Sequence, residues 1–257
     1  MKFGRKFLFF LLLSLATNVA RAEWTIVSSS QKGTAAAGVV HIVTEAEERT
    51  TGERATLHFA AFPMKTATLR VIDDGADAHT GLAETMEREK CLAGVNGGYF
   101  DPENAPVGLL ISDGRVVQRQ QKARLLSGVV SVSKGRVLVQ RAAEFSAKSM
   151  PSAARQCGPF LVENGKAIAG LNKGRAARRT FVAVAGEQAA IGFCTHVTLA
   201  QLGELLATPG VAGDLKPTRA LNLDGGSSSG FWFNGEGSPF AIRERKTVRD
   251  YLAIVPR

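Results

Sequence analysis

Four two-residue turn signals, each set between runs of β-branched and apolar residues, restrict what this chain can become more than any other feature of it. They are Asp113-Gly114, Lys134-Gly135, Asn164-Gly165 and Gly186-Glu187. A tight hairpin needs positive φ at its central positions, and Gly, Asn and Asp supply it at low steric cost. The flanking runs at 108–111, 116–118, 128–132, 137–140, 160–162, 166–169, 181–185 and 189–193 then read as strands. Further runs of the same kind lie at 38–43, 55–61, 67–72, 92–95, 219–223 and 251–255. Two stretches instead carry helical spacing. Residues 81–90 place Leu82 and Met86 on one side. Residues 198–206 repeat leucine at 199, 202, 205 and 206, with Thr198 or Thr195 as N-cap. Strand–helix alternation is not sustained. The expectation is therefore α+β: a mixed, strand-rich sheet or sheets with two main helices in a single domain, not a doubly wound parallel sheet.

The first 22 residues stand apart. Lys2, Arg5 and Lys6 precede an apolar run over 7–16, and Ala20-Arg21-Ala22 offers a small-residue cleavage site before Glu23. This is the layout of a signal peptide, and the run is shorter than the ~20 residues of a membrane helix. No later segment is apolar enough to cross a bilayer, so no stable span is expected after cleavage. The expected product is a periplasmic or secreted domain over 23–257. Removing the four basic residues of the leader lowers the formal charge from +9 to +5. A mildly basic protein of this size suits an anionic substrate or surface, and by itself does not point to nucleic acid. The basic cluster at 173–179 lacks the interleaved aromatic residues that stack bases.

An oxidising compartment allows one disulfide among Cys91, Cys157 and Cys194. Cys157 with Cys194, both near the motifs below, stands level with three reduced and buried thiols. No Cys-x-x-Cys is present, and zinc and thioredoxin readings are weak. His41, His58, His79 and His196 are scattered and read as structural.

Three blocks can carry chemistry. In the first, an apolar strand runs into Asn96-Gly97-Gly98-Tyr99-Phe100-Asp101. Paired glycines admit close approach of a ligand, Asn96 both donates and accepts, and the aromatic rings can wall a sugar. The plainer reading is a turn with core aromatics. In the second, a strand delivers Asp224 to Gly225-Gly226-Ser227-Ser228-Ser229-Gly230, whose backbone N–H groups can nest an anion. The plainer reading is a flexible loop, but a carboxylate at the end of an apolar strand argues against it. In the third, Arg178-Arg179-Thr180 opens a buried strand, where a guanidinium fork can face a phosphate. A solvated charge cluster is the plainer alternative. Because both glycine turns carry acceptor side chains, the strands ending at Val95 and Leu223 are expected to lie close in one sheet.

Gly226-x-Ser228-x-Gly230 fits the spacing of a serine-hydrolase elbow. That class needs its histidine after the serine, and all four histidines precede Ser228. No phosphate-binding loop, dinucleotide fingerprint or His-Glu-x-x-His is present.

Taken together, 95–100, Ser112-Asp113-Gly114, Cys157-Gly158-Pro159-Phe160, Asn164-Gly165, Arg179-Thr180, the Leu-Asp-Gly-Gly block at 223–226 and the closing strand at 248–255 resemble the phosphodiester glycosidase family. The likeness covers about residues 91–256. It implies a hydrolase cleaving a sugar-1-phosphodiester or related glycosidic linkage, with a sugar phosphodiester or cell-envelope glycan as substrate. Arg179 falls to the phosphate, Asp224 is the leading catalytic carboxylate and Asp101 the second. Asn96, Gly97, Gly98, Tyr99, Thr180, Gly225, Gly226, Ser227 and Ser228 form the binding surface. No cofactor is required, and a divalent cation near Asp224 or Asp101 is compatible with the chemistry. Ser227 departs from the family, which usually has a third glycine there, and so reshapes the pocket. The alternative is a non-catalytic carbohydrate-binding or envelope polysaccharide assembly protein on the same fold.

Overall fold

Asp113-Gly114, Lys134-Gly135 and Asn164-Gly165 each hold both residues at positive φ, between 49° and 76°, as a two-residue hairpin requires. Gly186 is likewise left-handed, at 58°. The turns therefore join neighbouring strands in the computed structural model, which describes residues 23–75 and 80–257. The leader expected over 1–22 and His79 lie outside the described residues.

In chain order the early strands are β1 (Trp24–Thr34), β2 (Val40–Glu48), β3 (Arg54–Pro63), β4 (Ala67–Asp73), β5 (Ala93–Asn96) and β6 (Leu110–Ser112). There follow β7 (Arg115–Gln118), β8 (Gly128–Ser133), β9 (Arg136–Arg141), β10 (Ala153–Cys157), β11 (Phe160–Glu163) and β12 (Lys166–Ala167). The chain closes with β13 (Ala177–Ala185), β14 (Gln188–Val197), β15 (Arg219–Asn222), β16 (Phe231–Phe233), β17 (Phe240–Ile242) and β18 (Asp250–Pro256). Helices α1 (Leu82–Arg88) and α2 (Leu199–Ala207) complete the strand-rich α+β fold.

Three antiparallel sheets result. Their orders are β1-β2-β3-β14-β13-β15-β11-β12, β7-β6-β10-β8-β9 and β17-β16-β5-β18-β4. One apolar core draws on all three: Val182, Phe193 and Leu221 from the first, Leu110 and Val130 from the second, Val95 and Leu252 from the third. Each helix covers a back face. Helix α2 sets Leu202, Leu205 and Leu206 against Leu161 and Phe181 of the first sheet. Helix α1 sets Leu82 and Met86 against Trp232 and Tyr251 of the third.

The two helices start for different reasons. Thr198 and Gln201 form a reciprocal capping box at the head of α2, a device written in local sequence. Helix α1 begins at Gly81 without a side-chain cap of its own, and Glu244, far along the chain, accepts the Leu82 N–H at 2.8 Å.

Two expectations change. β5 and β15 lie in different sheets, the third and the first. The cysteines stay reduced and buried, on β10, β14 and just ahead of β5, so the Cys157–Cys194 disulfide does not form.

A carboxylate and two groups of cations at a seam between sheets

Although β5 and β15 belong to different sheets, their C-terminal ends meet. Asn96 Nδ2 donates to the Asp224 carbonyl at 2.8 Å, and the Asp224 N–H donates to the Gly97 carbonyl at 3.1 Å. Asn96 Oδ1 accepts from the Gly230 N–H at 3.3 Å. Thr180 Oγ1, fully buried on β13, donates to the same Asp224 carbonyl at 2.7 Å. Asn96 and Thr180, both expected to touch substrate, are thus fasteners that hold Asp224 at the seam.

The glycine pair has a role that its sequence context hides. A Cβ on Gly97 would lie 1.8 Å from Asp250 Oδ1, and one on Gly98 would lie 2.4 Å from Arg155 Cζ. What comes close to these glycines is a buried ion pair. Arg155 Nε meets the Asp250 oxygens at 3.0 and 3.1 Å, with both side chains at 0% exposure. Arg155 also donates to the carbonyls of Tyr99 and Val107, at 2.6 and 2.9 Å. The N–H groups of Gly97 and Gly98 go to the Asp250 carbonyl and carboxylate, at 2.7 and 3.2 Å. These N–H groups of the expected binding surface are therefore already bonded. Charges buried so deeply are tolerated when hydrogen bonds satisfy every donor, and this pair uses them to fix the turn beneath Asp224.

Tyr99 is similarly committed. Its hydroxyl donates to the Gly158 carbonyl, which Asn222 Nδ2 also reaches at 2.9 Å. Asp101 closes its own loop by accepting the Ala105 N–H at 2.7 Å.

What remains open lies around Asp224. The side chain is partly exposed. Its Oδ1 accepts the Gly225 N–H at 2.8 Å, and the buried Ser228 hydroxyl also bonds it. Burial raises its pKa above that of an ordinary aspartate, opposed by the Ser228 and Gly225 bonds. On β13, Arg179 anchors Nε on the Val197 carbonyl at 3.2 Å and Nη2 on that of Arg175 at 2.8 Å. Arg179 Nη1 lies 3.4 Å from where a Gly225 Cβ would stand, so Gly225 keeps this approach clear. Arg179 forms no ion pair among the described residues. Arg178 donates through Nη2 to the carbonyls of Ser229 and Arg243, at 2.6 and 2.8 Å. Ser227, expected to reshape the pocket, is exposed, and its carbonyl accepts the Arg245 N–H at 2.7 Å. Three buried polar atoms here have no partner in the protein: Arg178 Nε, Asn222 Oδ1 and Ser229 Oγ.

Residues 89–255, well over half of the chain, match the phosphodiester glycosidase family. The chain belongs to that family. Among curated proteins no sequence matches it. Among solved structures it is similar to the zebrafish N-acetylglucosamine-1-phosphodiester α-N-acetylglucosaminidase catalytic domain, described as auto-inhibited by its pro-peptide. The TM-score is 0.62 at 18% identity, covering 94% of this chain and 85% of the other. A hypothetical protein from Synechocystis gives a TM-score of 0.55 at 13% identity, covering 84% of this chain and 62% of the other. These structural likenesses concern the fold.

A cavity of about 590 Å³ lies away from Asp224, between the head of α2, the loop carrying Lys173 and the Trp24 end of β1. It holds charges of both signs and none of the residues of the three motifs. Among the described residues no group of His, Cys, Asp and Glu gathers as a metal site would.

Proposed function

We propose that this phosphodiester glycosidase family member hydrolyses a sugar-1-phosphodiester or a related glycosidic linkage outside the cytoplasm. Water adds to the anomeric carbon, the bond from that carbon to the phosphate oxygen breaks, and free sugar and a phosphomonoester leave. Arg179 holds the phosphate through its uncommitted Nη1, and its charge persists at any physiological pH. Asp224 transfers the proton. The observation that carries this reading is that Gly225, next in sequence to a carboxyl made less acidic by burial, leaves clear the approach to Arg179 Nη1, which lies 3.4 Å from where a Gly225 Cβ would stand. A raised carboxyl pKa brings proton transfer closer to the working pH. A phosphate leaving group needs charge neutralisation more than protonation, which suits an arginine. A divalent cation is not needed for this scheme, because Arg179 supplies the positive charge.

Incubation of the purified protein with a panel of sugar-1-phosphodiesters and aryl glycosides tests it. Release of free sugar from a phosphodiester supports the enzyme. Binding without release, in wild type and Asp224→Asn alike, supports instead a carbohydrate-binding or envelope-assembly role. For the export component, mass spectrometry of protein from cell fractions should find Glu23 as the N-terminus; intact Met1 in the cytosol would defeat it.

A further inference from the structure

Ten of the eighteen arginines among the described residues are paired with an acid, Arg49, Arg54, Arg115 and Arg136 on the outer surface among them. Arg70, Arg88, Arg141, Arg155, Arg219 and Arg249 each pair with an Asp or Glu. The arginines around the Asp224 turn differ. Arg175, Arg178, Arg179, Arg243 and Arg245 take part in no ion pair among the described residues, and neither does Lys246, whose Nζ sits 4.7 Å from the Phe100 ring centre. The nearest acid in sequence, Glu244, spends an oxygen on the Leu82 N–H.

These cations form two groups, because Arg178 and Arg179 leave β13 on opposite faces. Arg178 lies over the Phe193 ring at 5.0 Å, on the inner core. Arg179 lies on the other face, toward Cys194, with Arg175 beside it. The first group joins Arg178 to the exposed Arg243, Arg245 and Lys246 through the Arg243 carbonyl and the Ser227–Arg245 bond. Within each group like charges act on one another: Arg245 on Arg178, where Glu244 offsets part of the effect, and Arg175 on Arg179. Unpaired like charges held together raise the energy of the free protein, and an anion relieves it.

Two cation groups flanking one turn are more than a single phosphate uses. We infer that the substrate is a sugar-phosphate chain with successive phosphodiesters. One phosphate lies at Arg179, next to Gly225, and the next lies against Arg243, Arg245 and Lys246. This rests on the glycosidase reading above and specifies its substrate as a polyanion.

The test compares two synthetic compounds, a disaccharide joined by one sugar-1-phosphodiester and a trimer of the same unit with successive phosphodiesters. Hydrolysis and calorimetric binding are both measured. The expected result is a kcat/KM for the trimer at least about tenfold higher at low salt, an advantage that shrinks as salt screens the exposed charges. An Arg243→Gln/Arg245→Gln double variant should bring the ratio close to one, since only side chains in solvent change and the backbone bonds to Arg178 and Ser227 remain. A wild-type ratio near one, or a ratio that the double variant leaves intact, overturns the inference while hydrolysis of the disaccharide upholds the glycosidase. A single-stranded DNA oligomer of equal charge that binds as tightly as the trimer also overturns it, in favour of unspecific anion binding. If neither compound is cleaved but the trimer binds more tightly through Arg243 and Arg245, the polyanion surface stands and the glycosidase reading falls. No cleavage and no preference in binding defeats both.

Discussion

Asn96 reaches across the seam between two sheets to hold the carbonyl of Asp224 at 2.8 Å. That bond makes one site of two turns whose strands never pair. It also separates the structural half of Asp224, its backbone, from the half that is free to act, its carboxylate.

Replacing that carboxylate should therefore cost activity and not stability. Asp224→Asn keeps the backbone bonds to Asn96, Gly97 and Thr180 and removes charge and basicity. Loss of a positioned proton-transfer group costs ~10²–10⁴ in rate. Because burial raises the folded pKa, the folded state binds more protons than the unfolded one between the ordinary aspartate value and the raised value. Stability thus falls as pH rises through that window. At neutral pH the Asn variant should melt at or above the wild-type temperature, with the difference vanishing in acid. Paired kcat and melting curves check this. A lower melting temperature with matching activity loss would make Asp224 a turn residue and Asp101 the next carboxylate to test.

The Arg155–Asp250 pair should behave in the opposite way. Asp250→Ala strands a guanidinium at 0% exposure and frees the Gly98 N–H. Breaking a buried pair from one side costs about 3–5 kcal/mol. Gly98→Ala should be comparably harmful, since its Cβ would stand 2.4 Å from Arg155 Cζ. Denaturant unfolding gives the loss directly; a change below about 1 kcal/mol for Asp250→Ala would show that the pair does not organise the turn.

Stability should also fall in mild acid. His41 Nε2 and His58 Nδ1 lie 3.1 Å apart among the rings of Phe193, Phe231, Phe233 and Phe240. Burial lowers both pKa values to about 4, helped at His41 by the charges of His58 and Lys32. The folded state then binds fewer protons than the unfolded state between about pH 4 and the ordinary histidine value of about 6.5. Stability is full above that window and is lost as pH falls through it. Melting temperatures across pH 4–7 should show the drop, and His58→Phe should flatten it. An equal slope in the variant would assign the acid sensitivity to other groups.

The thiols give a simple count. Burial pushes Cys91 up to about 11 and Cys157 up to about 12, and raises Cys194 as well. A thiol reagent near neutral pH should titrate almost none in the native protein and three after unfolding. A single thiol after unfolding would mean that a disulfide forms after all.

What the sequence determined by itself was local. Asp113-Gly114 and Asn164-Gly165 announce hairpins because positive φ is a property of those residues, and the leucines at 199, 202, 205 and 206 announce α2 because their spacing is that of one helical face. Asp224 was visible for a similar reason, as a carboxylate ending an apolar strand. The tertiary structure decided the partners. It set β5 and β15 in separate sheets and still joined their ends, because Asn96 and Asp224 bond across 128 positions of sequence. It gave Gly97 and Gly98 an ion pair to accommodate where a ligand was expected: glycine reports that something comes close, and not what. Arg155 on β10 had no signal at all, since Arg and Gln interrupt the apolar run that marks a strand. Its burial is intelligible only once Asp250, 95 residues away, is in place. Asp250 had one signal, its position at the head of an apolar strand where Asp224 follows the end of one, and only three-dimensional packing separates their roles: Arg155 neutralises the buried one, and the seam leaves the other open.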